Sequence, residues 1–262
     1  MESIALYLLV GAFAGLLAGL LGVGGGLVIV PFLLWIFQQQ LGSSPWLMHL
    51  AIGTSLATIV ITSISSVSAH DRRGAVRWDL FWLLVPGIVL GGWFGAQFAK
   101  QVNSDSLRIF FALFELLVAI QMGFNLGPRV HGEIPGRILN GLAGVVIGAI
   151  SALVGIGGGT MTVPWLVWHR VKIHQAVGTS AAVGLPIAVA GGVGFIWSGL
   201  GVDGLPIWSS GFIYWPAFFG IIVMSAFAAP VGARLAHRLP AERLKQLFAL
   251  FLLFLSIRMF VS

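Results

Sequence analysis

The chain has no cysteine, which excludes disulfides, thiolate catalysis and cysteine-ligated metals. Charge is nearly as scarce: Asp, Glu, Lys and Arg make up 8% of its 262 residues, while 58% are apolar. A soluble domain carries roughly 25% charged residues, so no part of this chain has the composition of one. The acidic residues are few and scattered, with no carboxylate pair, no His/Asp/Glu metal set and no H-E-x-x-H. No catalytic residues, no metal site and no enzyme are therefore expected. A Walker loop is missing too, which removes ATP as the energy source and leaves no cofactor to expect. The longest polar stretch, "GPRVHGEIPG" from Gly127 to Gly136, is too short to fold on its own. No basic stretch precedes the first apolar run, which opens Met1-Glu2-Ser3-Ile4; that run is expected to stay in the membrane rather than be cleaved as a signal peptide.

What the chain has in abundance is apolar sequence in runs close to 20 residues, the length that carries a helix across the ~30 Å hydrocarbon core. The expected fold class is thus an all-α polytopic membrane protein. The net charge of +6 comes from fourteen Lys and Arg that sit almost wholly in short connections between those runs. There they act as orientation signals and lipid headgroup contacts rather than as a nucleic-acid surface.

One apolar run is interrupted. "LLGVGGGLVIVPFLLW", Leu20 to Trp35, has Gly22, Gly24, Gly25 and Gly26 at its centre and Pro31 behind them. Sliding the chain by 133 residues lays this stretch on "LVGIGGGTMTVPWLVW", Leu153 to Trp168, with nine identities in sixteen. A shift of 125 lays "HLAIGTS" (His49 to Ser55) on "HQAVGTS" (His174 to Ser180), and a shift of 137 lays Leu107 to Met122 on Leu244 to Met259 with eight identities in sixteen. The matches keep their order, so the chain is a duplication. A first repeat covers residues 4–126, a connector 127–136 and a second repeat 137–261, all in one integral membrane domain. Each repeat is expected to hold a glycine-broken segment (Ala5 to Phe37; Ile138 to His169) and three spans: His49 to Ala69, Trp78 to Ala99 and Leu107 to Asn125, then His174 to Ser198, Trp215 to Ala236 and Leu244 to Val261.

Loop charge separates two topologies. If each broken segment crosses once, the basic residues divide eight against six between the two sides, which is almost no bias. If it enters and returns, the second repeat is inverted. One side then collects Arg72, Arg73, Arg77, Arg129, Arg137, Arg170, Lys172, Arg234, Arg238, Arg243 and Lys245, eleven in all, against Lys100, Arg108 and Arg258 on the other. Eleven against three selects two inverted-topology repeats, each a glycine-broken re-entrant helical hairpin plus three transmembrane helices, with both termini outside.

Inverted repeats with discontinuous helices are the architecture of secondary transporters. The arm from about Leu27 to Phe37 is a half-span, so its start falls near the bilayer middle, where free N–H groups and the positive helix end suit an anion. Gly24, Gly25 and Gly26 are expected to face Gly157, Gly158 and Gly159 across a pseudo-two-fold axis; close helix packing is the other reading of such glycines. Thr160 and Thr162 replace Leu27 and Ile29, so the site should be asymmetric. The hydroxyls of Thr54, Ser55, Thr179 and Ser180 either donate to the anion or bond back to helix carbonyls. Glu115, whose repeat mate is Leu252, is a candidate for proton coupling or for a structural hydrogen bond. His49 and His174 recur as interfacial residues and are weaker candidates for carrying protons.

The paired G-[VI]-G-G-G to VP segments and the two GTS helices resemble the TauE/SafE family of sulfite and organosulfonate transporters, over nearly the whole chain. That resemblance implies a multi-pass permease of the bacterial cell inner membrane that moves small sulfur-containing anions, such as sulfite or sulfonates, or related organic acids without ATP hydrolysis. Its partners would be a small anionic substrate and the lipid bilayer, with a homo-oligomer left open and no nucleic acid. A passive anion channel and a non-transporting membrane scaffold are the alternatives. The scaffold has no use for duplicated broken helices, and a channel would not show saturation and counterflow.

Overall fold

Glycines set where the broken helices stop in this computed structural model, which describes residues 2–21, 25–124, 132, 134–236 and 241–261. The first repeat folds as α1 (Glu2–Leu21), α2 (Gly26–Leu41), α3 (Leu47–Asp71), α4 (Trp78–Gln101) and α5 (Ser104–Gly123). The second folds as α6 (Arg137–Val154), α7 (Gly159–Trp168), α8 (Ile173–Gly199), α9 (Trp215–Ala236) and α10 (Ala241–Val261). A small hairpin, β1 (Ser209–Ser210) and β2 (Ile213–Tyr214), joins α8 to α9; nothing in the apolar pattern foretold it. The six expected spans agree with α3, α4, α5, α8, α9 and α10 to within three residues. Among the described residues seven helices, α3 to α6 and α8 to α10, are long and apolar enough to cross a membrane.

The second expected break is present, and α2 starts at the end of the glycine stretch where the first was expected. At the second, Gly155 is left-handed (φ 73°), and the N–H groups of Gly155 and Ile156 both donate to the Ser151 carbonyl, at 2.9 and 3.0 Å. A left-handed glycine closes a helix in this way because it satisfies the last carbonyls without a Cβ clash. At the first, α1 ends at Leu21 and α2 starts at Gly26; residues 22–24, Gly24 among them, lie outside the described residues. The first arm is longer than expected, since α2 runs for 16 residues instead of the eleven from Leu27 to Phe37. Gln38 to Gln40 extend it as good helix formers, and it stops at Gly42, again at positive φ. The second arm, α7, has ten residues, about 15 Å of helix, and ends before Arg170, which takes φ 61°.

The two repeats are interlaced. α1 lies along α9, and α6 lies along α4, so the first helix of each repeat packs on the fourth helix of the other. α3 packs on its mate α8 and α5 on its mate α10. Inside a bilayer apolar burial gives helices little reason to associate, and close backbone contact has to do so instead. Glycines make that contact possible. A Cβ at Gly87, Gly91 or Gly95 of α4 would run into the carbonyls of Gly141, Val145 or Ala149 on α6, and Gly144 and Gly148 face Leu84 and Ile88 in return. On the exchanged pair, Gly11 and Gly15 of α1 meet the backbone of Ile221 and Ser225, while Gly232 of α9 meets Leu16. α3 and α8 are the most enclosed spans. Large apolar side chains such as Trp82, Phe94, Leu117, Phe227 and Leu247 point outward from the surrounding helices, which is the surface a lipid-immersed bundle presents.

Candidate functional site

The GTS motifs sit on the two central helices, and each reaches into the opposite repeat. Gly53 lets the Phe212 backbone press against α3, and Gly178 does the same for Ala75 on α8. Thr54 Oγ1 accepts a hydrogen bond from the Tyr214 N–H at 3.0 Å, and Thr179 Oγ1 accepts one from the Arg77 N–H at 2.9 Å. Tyr214 and Arg77 each precede the tryptophan that opens a fourth helix, so both threonines hold the turn into the other repeat. Ser55 Oγ donates to the Gly155 carbonyl at 2.8 Å. Neither of the expected uses, anion binding or back-bonding within the helix, accounts for these three bonds. Their partners are 160, 102 and 100 residues away in the chain.

The breaks touch through Gly26, one of the expected residues, which meets Gly155 and Ile156 just ahead of the three expected glycines; Gly24 lies outside the described residues. Gly26 lies against the Gly155 carbonyl and Ile156, while Gly157 faces Ile59. Gly158 faces the Ser180 carbonyl, the Thr162 hydroxyl and Val183. The left-handed turn at Gly155 presents that residue to the first break and sends the following glycines past it, Gly157 towards α3 and Gly158 towards α8. Gly25 forms the start of α2, its carbonyl accepting from Val28 and Ile29. Leu27, Val28, Ile29 and Val30 beside it are all buried and apolar, so the described part of the first break offers no side-chain donor.

The second break is polar where the first is not. The hydroxyls of Ser151, Thr160, Thr162 and Ser180 are buried and have no hydrogen-bond partner among the described residues. The N–H groups of Gly157 and Gly158 have no backbone acceptor there either, and Gly159 and Thr160 open α7, whose first N–H groups lack intrahelical acceptors. A Cβ at Gly184 would lie 3.3 Å from Ser63 Oγ and 3.5 Å from the Gly158 nitrogen. That glycine therefore leaves room between α3 and the break. Ser63 and Ser151 escaped the sequence reading. Their repeat mates are Ala188 and Ala18, and a position-by-position search for polar residues replacing apolar mates would have found both.

The remaining candidates separate cleanly. His49 is fully buried, with Nε2 at 2.9 Å from the Ala99 carbonyl. A carbonyl only accepts, so Nε2 donates, and the ring ties the start of α3 to the end of α4. Trp46 and Phe212 flank it, each with a centroid 5.0 Å away. Its mate His174 is exposed at the start of α8. Glu115 is fully buried on α5, and neither carboxyl oxygen has a hydrogen-bond partner among the described residues. Two shallow grooves, of about 420 and 590 Å³, lie on the outer side of α4 and α6 around Asp79, Trp82, Arg137 and Leu142 and touch none of the break residues. No cluster of His, Cys, Asp or Glu suited to a metal occurs among the described residues.

An all-helical bundle with seven span-length helices, interlaced repeats and donors gathered at a broken helix belongs to the multi-pass membrane transporters. More narrowly, the chain is a member of the Sulfite exporter TauE/SafE family, whose profile matches residues 7–259. It is 39% identical over 260 residues to a probable membrane transporter protein of Haemophilus influenzae, an alignment covering 99% of this chain and 98% of the other. The Bacillus subtilis probable membrane transporter protein YdhB is 26% identical over 247 residues, 92% of this chain and 93% of its own. A probable membrane transporter protein of Methanocaldococcus jannaschii is 28% identical over 232 residues, 86% and 81% of the respective chains. No solved structure matches the chain.

Proposed function

We propose that this transporter carries a small sulfur oxyanion, sulfite or an organosulfonate, and holds it at the second glycine break. The observation that carries this reading is the set of buried hydroxyls of Thr160, Thr162 and Ser180 beside the N–H groups of Gly157 and Gly158, all without a hydrogen-bond partner among the described residues. Gly159 supplies a further N–H at the start of α7, where the helix end is positive. Gly26 closes on the second break from the first repeat, Gly25 opens the helix behind it, Gly24 lies outside the described residues, and Thr54, Ser55 and Thr179 hold the backbone around the site. All these donors are neutral, so the anion is bound by dipoles and released without breaking an ion pair, as a carrier requires.

The test is flux in proteoliposomes with sulfite, methanesulfonate, sulfate and acetate. Saturable uptake with counterflow is expected for the sulfur oxyanions; flux without counterflow would make the protein a channel, and no flux of any anion would remove the reading. Thr162→Val and Ser180→Ala are each expected to raise KM about tenfold, the worth of one hydrogen bond to a charged group. Unchanged KM in both variants would move the site elsewhere.

We further infer that the repeats are inverted and that both termini lie outside the bacterial inner membrane. The eleven-to-three division of basic residues supports this. A reporter fused after Ser262 is expected to be active only outside the cytoplasm, and cytoplasmic activity alone would overturn the inversion.

A further inference from the structure

We propose that Glu115 carries a coupling proton, so that each anion crosses together with one H⁺; this rests on the anion-transport reading above. The buried face of α5 is Leu107, Phe111, Ala112, Glu115, Val118 and Ala119. A carboxyl thus stands alone in an apolar stripe, at the position where the other repeat has Leu252. A structural role would pair it with a donor, and one is close in the fold: Ser256 of α10 lies against the turn that precedes Glu115. Its hydroxyl is instead spent on the Ala112 carbonyl, at 2.9 Å.

Charged neighbours do not hold the group either. α5 packs on α3, α6 and α10. The ionisable groups on those helices are His49, His70 and Asp71 on α3, Arg137 on α6, and Glu242, Arg243, Lys245 and Arg258 on α10. None of the described side chains among them is hydrogen-bonded to either carboxyl oxygen, and those of Glu242 and Arg243 lie outside the described ones. On α5 itself, Asp105 and Arg108 pair with each other at 3.2 Å. A carboxylate without a donor or a cation is costly in such a place, and a neutral acid is not.

The same cost links the two ligands. α3 and α6, on which α5 packs, bring Ser55, Ser63 and Ser151 to the second break. A bound anion and an ionised Glu115 would be two like charges in the low-dielectric interior of one helix bundle, so each ligand favours the other: the anion binds best when Glu115 holds its proton. The step is simple to balance. The carboxylate takes H⁺ from water on the side where the anion enters and returns it to water on the other, and no bond in the anion changes.

Methanesulfonate is the probe, because its own charge does not titrate. An inward methanesulfonate gradient is expected to acidify the lumen of proteoliposomes holding the wild-type protein. Glu115→Gln, which keeps the shape of the side chain, is expected to retain counterflow within about threefold while losing about tenfold or more of pH-gradient-driven uptake, a factor within the usual range of coupling between sites. Glu115→Asp should recover part of that uptake. Counterflow without proton movement in the wild type would overturn the proposal alone, whatever the variants do, and so would full pH-driven uptake in Glu115→Gln. Absence of counterflow for every anion tried would overturn the transport reading and this proposal with it.

Discussion

Gly158→Val is expected to cut anion transport by about a hundredfold or more, the scale on which a displacement near 1 Å is felt at a functional site. A Cβ at this position would sit 2.9 Å from the Ser180 carbonyl, 3.2 Å from Thr162 Oγ1 and 3.2 Å from Val183 Cγ1. The carbonyl belongs to the α8 backbone and cannot swing away as a side-chain end can, so the break or the helix must shift. Either movement displaces the two hydroxyls proposed to face the anion. Gly157→Ala is the internal control. Among the described residues its Cβ would meet only Ile59 Cγ2, at an ordinary contact distance of 3.6 Å, its N–H is kept, and transport is expected to stay within about twofold of wild type. Both proteins should insert normally. Equal transport by Gly158→Val and wild type would show that the second break is not the site.

Gly91→Leu is expected to cause the largest loss of stability. Gly91 is the middle glycine of the α4 stripe, and any Cβ there overlaps the Val145 carbonyl, with the Val145 carbonyl carbon and Cα within 3 Å. Overpacking a core with side chains costs about 1–3 kcal/mol, and here the obstacle is backbone along the full α4–α6 contact. Destabilisation of about 3 kcal/mol or more is expected, seen as a lowered thermal midpoint in detergent or as failure to accumulate in the membrane. Gly141 lies on the same helix pair, yet a Cβ built there meets nothing within 4 Å. Gly141→Ala should therefore gain about 0.5–1 kcal/mol from helix propensity alone. An unchanged midpoint for Gly91→Leu would mean that α4 and α6 do not pack through their glycines.

These two helices show why a glycine is hard to interpret from sequence. Gly91, Gly141 and Gly158 all lie in apolar stretches, and only the fold separates the packing surface, the open position and the ligand side. The GTS motif shows the same limit. Its recurrence at Gly53 and Gly178 was plain in the sequence, but the contacts of Gly53, Thr54 and Ser55 go to Phe212, Tyr214 and Gly155, in the other repeat. Repeat mates also part company: His49 is buried and tied to Ala99, whereas His174 is exposed. Identical residues therefore did not imply identical surroundings.

The sequence by itself determined the all-helical membrane class, the family, six spans to within three residues and the location of the second break. Those features are legible because a bilayer reads the chain locally: an apolar run of sufficient length must be helical, and glycines interrupt it wherever they cluster. The tertiary structure alone decided that α1 packs on α9 and α6 on α4, that Gly26 lies against Gly155 and Ile156, and that Ser63 and Ser151 stand near the second break. It alone showed Glu115 without a hydrogen-bonding partner among the described residues. Each of these is a contact, or the lack of one, between segments far apart in the chain, set by how ten helices fill space against one another and not by the solvent preference of any single residue.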